Sequence, residues 1–475
     1  LSRVSYYFAG IRFQSGTLEY FDQFADPLLL RNDLLNTVLY MHGQPPLFNL
    51  FLGLVLKISP HGFSQVFNII YLLFGLALSL LLFGLMVRLG VAQRLSFLLT
   101  GVFILTPACI VYENSLFYTC PVTLLLVAAA WFLHRFLKSQ RVVDSLLFFT
   151  CLGTVVLVRS FFHPFWFMIV LAALLIKQPG FRRAVAAGAI ILLALILLLQ
   201  CRNLYLFDSL STSSWFGMSI AKITTFQLPV EKRVAMNQRG ELSGLAMVFP
   251  FSRLQIYRDF QIDMPPSGST GIRILDQETK STGSPNLNNK IYIHLSRAYL
   301  TDAAYVVLRH PEAYLKGILS AVTLFFNPTA HQGFLYWNLN KIRLTDRLCN
   351  IVLYGHPSAV FHVASDSPWK RISGAGIFLF LIWAFSLVYG GQMLFRPAEK
   401  EKADPVARGV LIFLWFNIVY VSLVGNLFEY GENNRFRFMI DPFLLVFAGL
   451  MLERFKSRGK KRYMPVKESR EHLGK

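Results

Sequence analysis

The chain has 475 residues, of which 54% are hydrophobic and 15% aromatic, and its formal net charge is +20. With a mean hydropathy of +0.48 it has more apolar surface than one soluble core can bury, which excludes an ordinary soluble enzyme and predicts a polytopic membrane protein. The basic residues lie mainly in short loops and in the tail, where they set membrane topology and do not indicate a nucleic-acid partner.

The N-terminal segment, residues 1–63, is predicted to be an external loop with juxtamembrane helices. It starts with Leu1, and no run of about 20 apolar residues occurs before Tyr20, so we expect a preceding span to be missing. Within it, Phe24–Gly53 places acids, a histidine and a Pro-Pro step directly before apolar sequence. This combination is unusual at the edge of a membrane.

The Pro-Pro step, Pro45-Pro46, fixes the backbone and removes two donors, so the chain is expected to arrive extended before a helix starts at Leu47. Such a step presents His42 and Gln44 rigidly. The helix Leu47–Ile58 is too short to cross a bilayer and is predicted to lie at the membrane interface.

Nine apolar runs are long enough for spans or for paired shorter spans. They lie near 64–87, 95–112, 118–137, 145–158, 164–176, 184–201, 372–395, 409–427 and 437–453. Residues 64–201 and 372–453 are therefore the predicted transmembrane parts. One set of loops is basic and is placed on the cytoplasmic side. It contains Arg88, Arg94, Arg135, Lys138, Arg141, Lys177, Arg182, Arg183, Arg396, Lys400, Lys402, Arg408 and the tail 454–475.

Residues 202–371 form one large region, predicted to be an external soluble region of mixed structure. It is rich in Ser, Asn, Gly and Pro near 264–289 and has helical periodicity from Tyr292 to Phe326. The stretch Ala313–Phe326 is apolar enough to be a span, but a span here would move the basic tail outside. An interfacial or re-entrant helix is the preferred interpretation.

The polar candidates for chemistry share the external ends of the spans, which predicts a single external site. Ionisable groups beside a bilayer are costly to desolvate, so those retained there are functional candidates. The candidates are Asp26, with Glu19, Asp22 and Asp33 nearby, and His42, Gln44, Glu113, Asn114, Arg159, His163, Glu429, Glu432, Arg435 and Arg437. Each acid could also be a solvated loop residue or an ion-pair partner, and for Asp22 and Asp33 that interpretation is favoured.

Arg435 and Arg437 bracket Phe436 at the start of an apolar run. In an extended segment, residues two apart point the same way, so both guanidinium groups could face one anion. Arginine suits phosphate because its planar donors match the phosphate oxygens. An interfacial anchor with no ligand is the competing interpretation.

Motifs for other chemistry are missing from the sequence. It has no P-loop, no strand-borne GxGxxG, no HExxH and no GxSxG, which disfavours soluble nucleotide chemistry. Its five cysteines show no metal-ligand spacing. No cofactor is certain, and a divalent metal remains an open alternative without a decisive ligand cluster.

These features resemble the GT-C superfamily of integral-membrane glycosyltransferases, especially bacterial relatives of the protein O-mannosyltransferases and the lipid A aminoarabinose transferase. The resemblance rests on the acid-bearing first external loop, the Gln44-Pro45-Pro46-Leu47 step, Glu113 in the second external loop, and the pattern from Glu432 to Pro442. It implies a GT-C-like all-α fold in the bacterial inner membrane. It also implies transfer of a sugar from a polyprenyl-phosphate donor to a lipid, glycan or protein acceptor on the periplasmic face, with inversion.

The resemblance further implies roles for individual residues. Asp26 would be the catalytic base, chosen from the four acids of the first loop, and Glu113 would orient the acceptor or a metal. His42 and Gln44 would support the loop, while Arg159, Arg435 and Arg437 would hold the carrier phosphate. Asn114, His163 and Glu432 complete the expected substrate-binding set.

Two other functions stay open on the sequence. An O-antigen ligase or polymerase also combines many spans with a large external loop, and would place its chemistry around His294, Arg297, Arg309 and His310. A lipid or solute transporter is the third hypothesis, but transporters usually place polar groups near the middle of the membrane.

Overall fold

The computed structural model describes residues 2–265, 268–354, 377–395 and 404–462. The predicted cations Arg396, Lys400 and Lys402 and the tail beyond residue 462 lie outside these ranges. The helices before and within the first transmembrane part are α1 Ser2–Phe8, α2 Thr17–Tyr20, α3 Pro27–Asn32, α4 Leu34–Tyr40, α5 Leu47–Ile58, α6 Phe63–Arg88, α7 Gln93–Leu105, α8 Pro107–Glu113, α9 Thr119–Ser139, α10 Val142–Val158, α11 Pro164–Lys177 and α12 Arg182–Phe207.

The remaining helices belong to the large polar region and the second transmembrane part. They are α13 Phe216–Ile223, α14 Val230–Gln238, α15 Leu254–Asp259, α16 Arg273–Asp276, α17 Ile291–Arg309, α18 Pro311–Phe325, α19 Tyr336–Leu339, α20 Arg343–Tyr354, α21 Ile377–Phe395, α22 Pro405–Phe428, α23 Asn433–Phe438 and α24 Asp441–Arg462. The described chain is thus an all-α, multi-pass membrane protein.

Five helices of the described ranges are long and apolar enough to cross a membrane. They are α6, α9, α12 with the turn before it, α21 and α22. A sixth candidate is the pair α7 and α8, bent by 60° where Pro107 interrupts the backbone hydrogen bonds and Thr106 caps α8. The prediction of nine spans is therefore too high for the helix lengths found. The runs 145–158 and 164–176 form shorter helices, and the run 437–453 is divided between α23 and α24.

Helix α9 lies at the centre of the bundle, since 67% of its most apolar window is buried, the largest share among the candidate spans. Small side chains bring its neighbours close, as expected where lipid supplies no hydrophobic drive for helix association. At Gly188 of α12, an added Cβ would lie 2.4 Å from Ser145 Oγ of α10. At Gly153 of α10, it would lie 2.7 Å from the Leu192 side chain.

The basic loops meet at one end of the bundle, here named the basic end. Arg88 at the end of α6 stacks over Trp131 of α9, with 3.6 Å between the guanidinium carbon and the ring centroid. Arg135 pairs with Asp144 at 2.9 Å, joining the ends of α9 and α10. Glu453 of α24 accepts a hydrogen bond from the backbone of Ala92. The described basic loops therefore share one face, as predicted from the charges.

The polar region between α12 and α21 consists of helices and turns where the structure describes it. One isolated bridge, Thr279 with Pro285, is its nearest approach to sheet among the described residues. The expected mixed structure is wrong for these residues because asparagine side chains hold the polar stretch. Asn286 donates to the carbonyls of Ile274 and Gln277, which satisfies them without a strand partner.

Helix α18 covers the stretch for which an interfacial or re-entrant helix was predicted. It is 15 residues long and is not among the candidate spans of the described ranges. Gly317 of α18 packs against the backbone of α13, where an added Cβ would lie 2.0 Å from the carbonyl oxygen of Ile223. The helix therefore ties the polar region to the bundle and does not extend the set of spans.

Candidate functional site

A cavity of about 650 Å³ lies at the end of the bundle opposite the basic end. One wall comes from α11 and the last turns of α22, and it is apolar, with Phe165, Ile169, Val424 and Phe428. Phe165 and Ile169 are 72% and 50% exposed on the outer surface of the bundle. The cavity therefore reaches the surface that faces lipid in a membrane.

The opposite wall is polar and comes from the region between α12 and α17. Its hydroxyl groups belong to Ser209, Ser211, Thr212, Ser213, Ser214, Ser219 and Ser296. Four of these are used inside the protein: Ser211 donates to the Ser213 carbonyl, Ser213 donates to the Gly43 carbonyl, and Ser214 bonds His42. The hydroxyl of Ser296 accepts from the Gly217 backbone. An amphiphile in this cavity would have an apolar side and a hydroxyl-lined side to contact.

Arg159 lines this cavity and is the buried cation of the site. It follows the last turn of α10 in extended conformation, and its side chain is 7% exposed between the rings of Tyr118 and Phe436. Its Nε and Nη1 atoms have no hydrogen-bond partner within the part of the chain that the structure describes. Its Nη2 lies 3.5 Å from Glu432 Oε2. A buried guanidinium with free donors is poised for an anion.

Glu432 is shared by two arginines. Arg435 donates to Glu432 Oε2 and, at 2.6 Å, to the Tyr118 hydroxyl. Burial opposes the charge of Glu432, yet Arg435, Arg159 and Lys222 hold the pKa of its carboxyl below the usual value. The carboxylate is therefore ionised at neutral pH and compensates only part of the surrounding positive charge.

The predicted pairing of Arg435 with Arg437 on one anion is wrong. Residues 433–438 form the helix α23, in which side chains two positions apart point to different sides. Arg437 instead bonds Asp441 at 3.2 Å and the Phe325 carbonyl at 2.5 Å. It lines a separate small cavity beside α7, α21 and α24. Only Arg435 therefore joins Arg159.

Lys222 of α13 pairs with Glu429, which lines the cavity directly after α22. The two residues are 207 positions apart, so this ion pair joins the polar region to the membrane bundle. Lys222 also acts on Glu432 and on Asp22 through space. Lys222 and Arg159 therefore both act on one carboxylate, that of Glu432.

Asp22 of the first loop lies within electrostatic reach of Glu432 and Lys222, although it is not among the residues that line the cavity. Burial raises the pKa of its carboxyl to about 6. The positive charge of Lys280 opposes this rise, and the negative charge of Glu432 adds to it. No hydrogen bond to the Asp22 carboxyl occurs among the described residues. Asp22 is thus an acid whose proton affinity suits a general base near neutral pH.

Lys280 is the cation that acts most strongly on Asp22. It is 3% exposed and donates to the Phe21 carbonyl at 2.7 Å. Burial lowers the pKa of its ammonium group to about 8, although Asp22 and Asp26 oppose the shift. The ammonium group therefore supplies positive charge beside Asp22 at neutral pH.

Asp26, the predicted base, has a carboxylate occupied by structural hydrogen bonds. It caps α3 by accepting from the Leu28 backbone at 2.9 Å. Its other partners are the Ser281 hydroxyl at 2.5 Å and the Ser281 backbone at 2.7 Å. Asp26 therefore fastens the first loop to the polar region. The other candidates of this loop, Glu19 and Asp33, lie at or near the surface.

His42 and Gln44 hold the Pro-Pro segment against the cavity. The Asn288 carbonyl can only accept, so His42 Nε2 carries a proton and donates it to that carbonyl at 2.8 Å. The other ring nitrogen, Nδ1, accepts a hydrogen bond from the Ser214 hydroxyl at 2.6 Å. Burial lowers the pKa of His42 to about 4, so the ring is neutral. Gln44 lines the cavity and accepts from Ser160. These contacts join the Pro-Pro segment to the polar region and to Ser160, and a supporting role for His42 and Gln44 stays a prediction.

The other predicted residues divide between the cavity and the bundle. His163 lines the cavity and caps α11. Glu113 and Asn114 end α8 away from the cavity lining. Glu113 pairs with Arg3 at 2.7 Å, and Asn114 bonds the Ile110 carbonyl at 2.9 Å within its own helix. A catalytic role for Glu113 therefore lacks a contact with the cavity.

The residues that the ligase hypothesis singled out do not form a cluster. Arg297 lines the cavity and bonds the Phe207 carbonyl, while His310 bonds Lys232 and Glu312 elsewhere. His294 and Arg309 are exposed on α17. In the described ranges, no group of three or more His, Cys, Asp or Glu side chains could hold a metal ion.

Sequence reasoning missed Lys222 and Lys280. A single lysine in an amphipathic helix and another in a Ser- and Asn-rich stretch are ordinary surface patterns. Their role appears only once the polar region is placed on the first loop and on α22. No family model, curated protein or solved structure matches this chain.

Proposed function

We propose that this protein is a membrane glycosyltransferase that moves a sugar from a polyprenyl-phosphate donor to an acceptor at the non-basic face of the membrane. The observation that carries this proposal is Arg159. It is a buried guanidinium group with unpaired donors, in a cavity that reaches the lipid-facing surface. A ligand that suits such a site is a long apolar chain ending in an anion.

The donor fits the two walls of the cavity. Its isoprenoid chain would lie along Phe165, Ile169 and Phe428, and its phosphate would accept hydrogen bonds from Arg159. The sugar would then lie toward the hydroxyl-lined wall and Asp22. This orientation requires no nucleotide pocket, in keeping with the absence of nucleotide-binding motifs from the sequence.

The reaction follows from the charges around the cavity. The acceptor hydroxyl attacks the anomeric carbon and gives its proton to Asp22, while the bond from that carbon to the phosphate oxygen breaks. The electron pair leaves with the polyprenyl phosphate, whose developing charge Arg159 stabilises. Direct attack inverts the anomeric configuration. Asp26 positions the loop that carries Asp22, and Lys280 holds positive charge beside that base.

The resemblance to the GT-C superfamily supports the same function, and it extends the proposal to location. The basic end would face the cytoplasm of a bacterial cell, by the positive-inside rule. The cavity would then open on the periplasmic side of the inner membrane, where lipid-linked sugars are used. The acceptor would be a lipid, glycan or protein of the cell envelope.

The test is sugar transfer by the purified chain in lipid nanodiscs. Membranes of cells with and without the gene are first compared by mass spectrometry, which identifies the missing glycan and so the donor and acceptor to supply. Arg159→Gln is expected to lower the transfer rate about 100-fold or more, since it removes a charged stabiliser of the leaving phosphate. Arg141→Gln, at the basic end, is the matched control with unchanged transfer.

Two outcomes would count against the proposal. Equal transfer rates for Arg159→Gln and the wild type would show that the carrier phosphate does not bind at Arg159. Movement of a lipid or solute across the vesicle membrane, with no transfer from any lipid-linked donor, would identify a transporter instead.

A further inference from the structure

The acid between the two buried arginines is more accessible than either of them. The side chain of Glu432 is 24% exposed, while those of Arg159 and Arg435 are 7% and 0% exposed. The carboxylate is therefore the most accessible of these three charged groups. An anion that binds Nη2 of Arg159 competes with Glu432 for that atom.

The two contacts of Glu432 are unequal. Arg435 donates directly to its Oε2 atom, whereas Arg159 Nη2 is 3.5 Å from that oxygen, near the limit of a hydrogen bond. The backbone before it turns at Gly431, whose φ of 118° is a conformation that favours glycine. The carboxylate can therefore lose the Arg159 contact and keep its partner Arg435.

The local charge supports an exchange of anions. Arg159, Arg435 and Lys222 face the acids Glu432 and Glu429, so the cations exceed the acids within this group. Burying an unpaired guanidinium is costly, and Glu432 reduces that cost while the cavity holds no anion. A phosphate that binds Arg159 bidentately through Nη1 and Nη2 has to replace this contact at Nη2.

We infer that Glu432 is an internal counter-ion, which occupies the anion position at Arg159 in the empty site and is displaced by the phosphate of the incoming lipid. This inference rests on the proposed function for its ligands, which are the phosphodiester of the lipid-linked donor and the phosphate monoester of the product, and farnesyl phosphate represents the second. The displacement weakens phosphate binding in the ground state. When the carboxylate returns to Arg159, it assists release of the lipid-phosphate product.

Binding of farnesyl phosphate to the protein in detergent tests this role, with no sugar and no transfer needed. Calorimetry gives the dissociation constant. Glu432→Gln is expected to bind farnesyl phosphate about tenfold more tightly than the wild type, because the competing charge is gone. Glu312→Gln, an exposed acid paired with Lys232, is the control and should leave the affinity unchanged.

A double-mutant cycle separates this role from a general charge effect. In the Arg159→Gln background, Glu432→Gln should no longer tighten binding, because the guanidinium group for which Glu432 and the phosphate compete is gone. If Glu432→Gln does not fold, Glu432→Asp keeps a carboxylate for Arg435 but shortens its reach toward Arg159, and it should bind severalfold more tightly. Unchanged or weaker binding by a folded Glu432 variant overturns the inference, as does farnesyl phosphate that binds neither wild type nor variant.

The same measurements distinguish this inference from the proposed function. If farnesyl phosphate binds as described but no sugar is transferred, the counter-ion role stands and the enzymatic proposal fails. If sugar is transferred but the Glu432 variants bind farnesyl phosphate no more tightly than the wild type, the enzymatic proposal stands and the counter-ion role fails.

Discussion

The carboxylate of Glu113 packs against Gly75 of α6 so closely that a Cβ at residue 75 would lie 2.1 Å from Oε2. Arg3 holds the carboxylate from the other side. The pair therefore fastens α1 and α8 to α6, with glycine as the residue that leaves the necessary space.

Gly75→Ala is expected to destabilise the protein by about 1–3 kcal/mol, because the new methyl group displaces a buried ion pair. Gly101→Ala on α7 is the matched control, since nothing lies within 4 Å of its added Cβ. Helix propensity should leave this control equal to or slightly above the wild type. Thermal unfolding in detergent compares the two, and equal midpoints would show that the Glu113 contact is unimportant.

Asp22 and Asp26 can be separated by the same isosteric change. Asp22→Asn should lower the transfer rate about 10²- to 10⁴-fold with the unfolding midpoint retained, because it removes a base and no hydrogen bond. Asp26→Asn should cost about 1–3 kcal/mol of stability. The new NH₂ group cannot accept a hydrogen bond, so the backbone N–H of either Ser281 or Leu28 loses its acceptor. Its transfer rate, per folded molecule, should fall much less. A large loss of transfer rate in Asp26→Asn, with little loss in Asp22→Asn, would instead identify Asp26 as the catalytic base.

The rate should depend on pH through Asp22. A base acts in its deprotonated form, so kcat/KM should rise with pH and level off above the pKa of about 6. At one pH unit below that value the rate should be about a tenth of the plateau. Initial rates between pH 4.5 and 8 measure this rise of kcat/KM with pH. The residual activity of Asp22→Asn should not show the rise.

His42 predicts a loss of stability in acid. Its pKa is lowered to about 4 in the fold, from 6.5 in the unfolded chain, so the unfolded state binds the extra proton between these values. Stability from this residue is complete above about pH 6.5 and falls as the pH drops toward 4, by about 3 kcal/mol in total. The difference in unfolding midpoint between wild type and His42→Gln should therefore shrink as the pH falls. A constant difference would contradict the neutral buried ring.

Much of the membrane part could be predicted from the sequence because apolar runs and loop charges report directly on spans and sides. The short helix Leu47–Ile58 and the shared basic end follow from these patterns. The spans were overcounted because the runs 145–158 and 164–176 form helices of fewer than 18 residues and the run 437–453 is divided between α23 and α24.

The site was only partly predictable. Arg159, Gln44 and His163 could be grouped from the sequence because each follows or precedes an apolar run, and the structure places them in the lining of one cavity, with Glu432 and Arg435 next to Arg159. It could not choose among the first-loop acids, because their difference lies in partners such as Ser281 and Lys280. It also assumed an extended backbone at Arg435 and Arg437, where hydrogen bonds of α23 set a helix.

The bonds that fasten the first loop bear on the order in which the protein is made. Asp26 is held by Ser281, 255 residues later, and His42 by Asn288, 246 residues later. During synthesis the N-terminal part emerges first, so these polar side chains wait without partners while α6 to α12 enter the membrane. The loop that carries Asp22 can take its place only after residues near 290 have left the ribosome. A chain stopped before that point would have the candidate spans up to α12 but no assembled site.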